Sequence, residues 1–148
     1  TKGTGVINRI FHGYGKFEGE MDGRKNGALI SMSTGKAVAF AIFNLQARGE
    51  MFVTHNDSVY EGMIVGLTPK PGDMIINVMK GKQLTNMRTQ GTDENVVLTP
   101  VRQMSIAEQL SMLNTDEALE ITPKSLRLRK AILNPHDRKR SEKSGTAA

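Results

Sequence analysis

Asn26-Gly27-Ala28-Leu29-Ile30-Ser31-Met32-Ser33-Thr34-Gly35-Lys36-Ala37-Val38-Ala39-Phe40-Ala41-Ile42 is the stretch on which the fold class turns. An apolar run over 26–33 meets Thr34-Gly35-Lys36, a tight-turn composition, and then a second run in which Val38, Phe40 and Ile42 alternate with alanines. Alternation flanking a short glycine turn predicts a β-hairpin. The larger side chains would share one face, and Ala37, Ala39 and Ala41 the other, where a second backbone can approach closely.

Outward from this stretch the punctuation repeats: short apolar runs are broken by Gly, Pro, Asn or Asp about every eight to twelve residues, the pattern of a small barrel or sandwich. Upstream, residues 5–12 alternate into Gly13-Tyr14-Gly15 and predict a strand. Downstream, residues 43–48 have room for one helical turn before the short run 51–54. Residues 59–62 lead into a strand over 63–67, and Pro69-Lys70-Pro71-Gly72-Asp73 returns the chain into 74–79 as a second hairpin. Residues 95–99 predict a further strand. Ser105 with Glu108 three positions on is a capping box, opening an amphipathic helix through Leu113. Residues 119–122 and 125–132 predict the last strands. Asn134-Pro135-His136-Asp137 then supplies an N-cap, a proline at the first helical position and an acid at the third, ahead of a basic helical tail.

A chain of 148 residues suits one domain, or one domain with part of a second. Without cysteine it has neither disulfides nor thiolate metal sites. Its longest apolar stretch, 37–43, falls far short of the roughly 20 residues of a membrane-spanning helix, so no membrane partner is expected. The net charge of +5 is unevenly placed. Residues 1–122 hold twelve basic and thirteen acidic groups, whereas 123–148 hold eight basic groups against Asp137 and Glu142. Alternation through Leu126-Arg127-Leu128-Arg129 puts both arginines on one strand face, so a folded element displays the charge, as a phosphate-binding surface would.

Catalytic signatures are lacking. Gly15-Lys16, Gly35-Lys36 and Gly81-Lys82 all fail the G-x-x-x-x-G-K-[ST] phosphate cradle. His12, His55 and His136 stand too far apart in sequence to suggest a metal site, and no catalytic residue is assigned. The adjacent carboxylates Asp93-Glu94 and Asp116-Glu117 read as solvated surface charge, and the nine methionines as core fillers. Phe11, Tyr14 and Phe17 beside Arg9 and Lys16 form the one aromatic group suited to base stacking. The best site candidate is residues 80–94, a fifteen-residue stretch without apolar periodicity between two predicted strands. It carries Lys80, Lys82 and Arg88 as cations, with Thr85 and Asn86 among its hydrogen-bonding groups.

Gly81-Lys82-Gln83-Leu84-Thr85-Asn86-Met87-Arg88, with Gly91-Thr92-Asp93-Glu94 behind it, closely resembles the loop of the BipA/TypA translational GTPases. The likeness continues through Asn26-Gly27-Ala28-Leu29-Ile30-Ser31, Phe43-Asn44-Leu45-Gln46, Val59-Tyr60-Glu61-Gly62-Met63-Ile64-Val65-Gly66 and Thr122-Pro123-Lys124-Ser125-Leu126-Arg127-Leu128-Arg129-Lys130, and spans nearly all of 3–140. Gly3-Thr4-Gly5 resembles the last strand of a domain shared with elongation factor G.

The resemblance implies a mainly β fold with added α. Residues 1–20 would end an elongation factor G-like α/β domain, 21–143 would form the family's small β-barrel-like (OB-like) C-terminal domain, and 144–148 a disordered tail. With no initiator Met at Thr1, the chain reads as a C-terminal piece of a longer protein. This piece would not be an enzyme, and GTP and Mg would be held by an N-terminal GTPase domain outside it. The implied partners are the ribosome, through large-subunit rRNA and the acceptor end of A-site tRNA. The implied roles are large-subunit assembly and stress adaptation, in the cytoplasm or an organelle of bacterial descent, by a monomer. The expected RNA- and tRNA-binding residues are Lys80, Lys82, Thr85, Asn86 and Arg88 in the loop, and Lys124, Arg127, Arg129 and Lys130 in the basic strand. Two departures, Pro100-Val101 where the family commonly has paired prolines and a less acidic 114–117, leave the loop untouched. The alternatives are a stand-alone single-stranded nucleic-acid-binding barrel, which the scarcity of aromatics opposes, and an enzyme domain completed by a partner chain, for which no nucleophile or base is evident.

Overall fold

Ala28–Ser31 form β1, and all four residues are buried, as befits a strand covered on both faces. The computed structural model describes residues 8–16, 24–81 and 96–144. In chain order the elements are β1, β2 (Gly35–Lys36), α1 (Ala39–Gln46), β3 (Glu50–Met51), β4 (Ser58–Val59), β5 (Ile64–Leu67), β6 (Met74–Ile76), α2 (Ile106–Ser111), β7 (Glu117–Ile121), β8 (Leu126–Lys130) and α3 (Pro135–Ser144). A four-stranded sheet runs in the order β3-β5-β1-β6, and β2-β4 and β7-β8 form two further pairs. The class is thus mainly β with added helix, as expected, but among the described residues the sheets do not close into a barrel.

Two predicted hairpins are corrected. The run after Gly35-Lys36 is not a strand: Ala39–Gln46 coil into α1, burying Ala41, Ile42 and Leu45. Those positions share one helical face, and the alanines read as a strand face are strong helix formers. Asn44 Nδ2 also donates to the Phe40 carbonyl one turn back, at 2.8 Å. The second hairpin fails because β1 lies between β5 and β6, pairing antiparallel with β5 and parallel with β6. The turn over 69–73 is real, but it carries the chain across β1.

Residues 8–12 and 96–99 carry no regular structure, whereas strands were expected over 5–12 and 95–99. Thr99 instead donates from its backbone N–H and from Oγ1 to Gln46 Oε1, both at 3.2 Å, which ties this segment to α1 by side-chain bonding. Residues 5–7 and 95, the expected domain boundary at 20, and 145–148 of the expected tail lie outside the described residues.

Elsewhere local chemistry sets local structure as read. Ser105 Oγ accepts from Glu108 N–H at 3.3 Å while Glu108 Oε2 accepts from Ser105 N–H at 2.8 Å, completing the capping box of α2. Asn134 Oδ1 accepts from His136 N–H at 2.8 Å at the start of α3. The β7-β8 hairpin pairs in register from Glu117 opposite Lys130 to Ile121 opposite Leu126.

Alternation along β1 divides the core. Leu29 joins Ile42, Leu45, Val59, Val65 and Val78, while Ala28 and Ile30 join Ile64 and Leu128, with Phe52, Met104, Leu113 and Leu119 packed alongside. The hairpin reaches the main sheet through Lys130 N–H, which donates to the Gly62 carbonyl at 2.9 Å, and through a bridge between Met63 and Arg129. Gly62 sits at φ +83°, and a Cβ there would stand 2.7 Å from Leu133 Cα.

Candidate nucleic-acid interface

Strand alternation sorts the basic residues of β8. Leu128 and Lys130 turn inward, and Arg127 and Arg129 share the opposite face. Glu120 lies across from Arg127 in the ladder, with Oε1 3.5 Å from Arg127 Nη1, and its Oε2 accepts from the Tyr60 hydroxyl at 2.5 Å. Burial, then the Glu120 carboxylate, push the Tyr60 phenol up to about 12. Arg129 Nη1 donates to the carbonyls of Lys130 and Ala131 at 3.2 and 3.5 Å, which steadies the guanidinium beside the strand. Lys124 is exposed at the β7-β8 turn, and Lys80 is exposed beyond β6. Lys82, Thr85, Asn86 and Arg88 lie outside the described residues, as does Phe17. Phe11 and Tyr14 are exposed and meet edge to face with ring centroids 5.5 Å apart.

Lys130 is corrected from surface cation to internal anchor. It is 1% exposed, and its Nζ stands 2.5 Å from Asp73 Oδ2, 2.6 Å from Asp116 Oδ2 and 3.1 Å from Glu117 Oε1. Asp116 and Glu117 were expected as solvated surface charge; Asp116 is exposed, but Glu117 is buried, and the two converge on Lys130 because the turn entering β7 breaks the strand alternation between them. Glu117 Oε1 also takes Arg24 Nη2 at 2.7 Å, and Arg24 donates onward to the Met112 carbonyl at 3.2 Å. Burial pulls Lys130 toward its neutral form, but hydrogen bonds to Asp116 and Asp73 and the charge of Glu117 outweigh it and hold the ammonium above the usual lysine value. For Asp73, burial is overcome by bonds from Lys130 and the Ala28 N–H, and its carboxyl lies below the usual value. Among the described residues no group of His, Asp and Glu is placed to hold a metal ion.

Tertiary structure also assembles what periodicity does not reveal. A groove of about 500 Å³ beside the network is bounded by Arg24, Lys25, Arg138 and Lys139, bringing α3 next to residues more than a hundred positions earlier. Arg138 Nη1 donates to the carbonyls of Ile132 and Leu133 at 3.0 and 2.7 Å, fixing the root of α3. The signal available in sequence was the charge of α3; its neighbours were not legible.

Fold and site together define a small mainly-β domain that displays a basic hairpin face and a basic terminal helix and whose sequence lacks a phosphate cradle. The family model of the TypA/BipA C-terminal domain matches residues 26–135, and the chain belongs to that family. It is 49% identical over 147 residues to the "Large ribosomal subunit assembly factor BipA" of Buchnera aphidicola subsp. Schizaphis graminum, covering 99% of this chain and 24% of that protein. The proteins of the same name from Salmonella typhimurium and Escherichia coli K12 are each 46% identical, over 97% of this chain and 24% of theirs. The chain thus spans about a quarter of the length of these relatives.

Proposed function

We propose that this chain is the ribosome-binding domain of a translational GTPase, contacting large-subunit rRNA and the acceptor end of A-site tRNA. The observation that carries the reading is the hairpin itself: Arg127 and Arg129 occupy one face of β8 while Lys130, buried beneath, ties that strand to the fold. A positively charged face on a rigid element neutralises phosphates without first having to order a loop. The relatives' name, an assembly factor of the large ribosomal subunit, supports the same partner.

In this reading Lys124, Arg127 and Arg129 contact backbone phosphates, and Lys80, Lys82, Thr85, Asn86 and Arg88 contribute from residues 80–94. Lys130 is left out because its ammonium is already engaged by three carboxylates. GTP and Mg belong to residues outside this chain, since none of its Gly-Lys pairs completes a cradle. Assembly of the large subunit and stress adaptation, in the cytoplasm or an organelle of bacterial descent, are the roles this docking would serve, by a monomer.

Co-sedimentation of the chain with large ribosomal subunits, against free single-stranded RNA at several salt concentrations, tests the reading. Binding to subunits that exceeds binding to free RNA supports it; equal, weak binding to both overturns it. A Gly-Ser replacement of residues 83–90 in the longer protein should lower ribosome binding while leaving the melting temperature nearly unchanged.

A further inference from the structure

Between α2 and the β7-β8 turn lies a second groove, of about 940 Å³, walled by Phe52, Met104 and Ile106 and edged by Lys124 and Arg127. Gln109 also lines it and is 7% exposed. The Gln109 Nε2 donates to the Met104 carbonyl at 3.4 Å, but Oε1 is sealed from solvent with no hydrogen-bond partner. Buried acceptors almost always have a donor, so this oxygen holds an unused capacity for a donor that enters the groove.

We infer that this groove is a subsite for a single unpaired nucleotide, with adenine as the base. A carboxamide presents an acceptor beside a donor, and the adenine edge answers with its N6 amino group beside N7. The Met104 carbonyl holds Nε2 and thereby fixes which way round the amide sits, so the free oxygen faces the amino group. The half-buried Phe52 ring and the apolar walls receive the face of the base. Lys124, exposed at the rim, and Arg127 meet the phosphate. Because Oε1 is sealed, entry requires the side chains around the amide to part, and the groove wall includes a flexible side chain, Met104. This charged rim favours a nucleotide over an apolar peptide, and the inference rests on the RNA-binding reading above.

The test titrates the whole chain with fluorescently labelled single-stranded oligoadenylate, the same oligomer built from N6,N6-dimethyladenine, an abasic oligomer and oligouridylate. Oligoadenylate should bind roughly tenfold more tightly than the other three, the discrimination of one well-made base contact. Gln109→Leu should lower oligoadenylate to the level of the dimethylated oligomer while leaving the salt dependence unchanged. If that variant does not fold, the comparison of the four oligomers on the unaltered chain decides alone. Equal binding of all four, or displacement of RNA by an acidic apolar peptide without any base preference, overturns the inference. Ribosome co-sedimentation that persists without base preference sinks this subsite and leaves the ribosome reading standing. Base preference without ribosome binding supports the subsite and sinks the ribosome reading.

Discussion

Lys130 and Asp73 meet with Nζ 2.5 Å from Oδ2, and the other oxygen of the same carboxylate accepts from the Ala28 N–H at 2.7 Å. One aspartate therefore fastens the hairpin strand β8 to the edge of the main sheet and to the first residue of its inner strand β1. A lone ammonium at this depth would be strongly disfavoured; three carboxylates make it tolerable, and the fully buried Glu117 relies on it together with Arg24.

Replacing Lys130 with Met leaves Glu117, whose side chain is 0% exposed, and its neighbours without their shared cation. Arg24 still pairs with Glu117 and the Asp73 and Asp116 side chains are 35% and 60% exposed, so the loss should fall below the roughly 3–5 kcal/mol of a buried pair broken from one side. Urea unfolding checks this, and the phosphate contribution to RNA binding at temperatures where the variant is folded should be retained.

Stability should fall at both ends of the pH scale. Asp73 is depressed in the folded state, so its contribution is present above the ordinary carboxylate value and is lost as pH drops through the folded value. Lys130 is raised above 10.5 and Tyr60 from 10.0 to about 12, so theirs is complete below those ordinary values and is lost on the alkaline side. Melting temperature against pH should be level near neutrality and decline above about pH 10, and Tyr60→Phe should make the alkaline decline shallower.

Changing Lys124, Arg127 and Arg129 together to Gln should flatten the log-log salt dependence of single-stranded RNA binding by roughly 0.7 for each phosphate that is no longer neutralised. Because the Arg127–Glu120 pair is about a third exposed on each side, stability should move by no more than about 1 kcal/mol. An unchanged slope with unchanged melting would reduce these charges to a solvating role.

Gly62 and Gly72 separate two reasons for glycine. Both have positive φ, +83° and +88°, but a Cβ at Gly72 meets nothing within 4 Å, whereas one at Gly62 stands 2.7 Å from the Leu133 backbone. Gly72→Ala should cost about 1 kcal/mol from backbone strain alone. Gly62→Ala should cost at least about twice that, because the β8 junction must also shift, and chemical denaturation of the two variants gives the ratio.

What could be read in the sequence was whatever depended on near neighbours: the Ser105–Glu108 box, the Asn134 cap and the alternation that turned Arg127 and Arg129 together. The run 37–42 was misread because Val38, Phe40 and Ile42 satisfy a period of two, whereas the burial of Ala41, Ile42 and Leu45 obeys a helical period. Lys130 was misread for a different reason. Its inward position followed from the same alternation that placed Leu128, but its partners Asp73 and Asp116 lie on other elements, and only the fold brings them to it. The groove beside Gln109 was illegible for the same cause.

The placement of β1 has a consequence for how the chain is made. It is an inner strand of its sheet and the earliest of the four in sequence, and its partners are residues 64–67 and 74–76. During synthesis Ala28–Ser31 therefore leave the exit tunnel with both edges bare and wait for some forty-five further residues before the second edge is covered. Until then an apolar strand is open to pairing with other chains. The sheet cannot close progressively from its N-terminus; it closes late, first with 64–67 and then with 74–76, around the segment that emerged first.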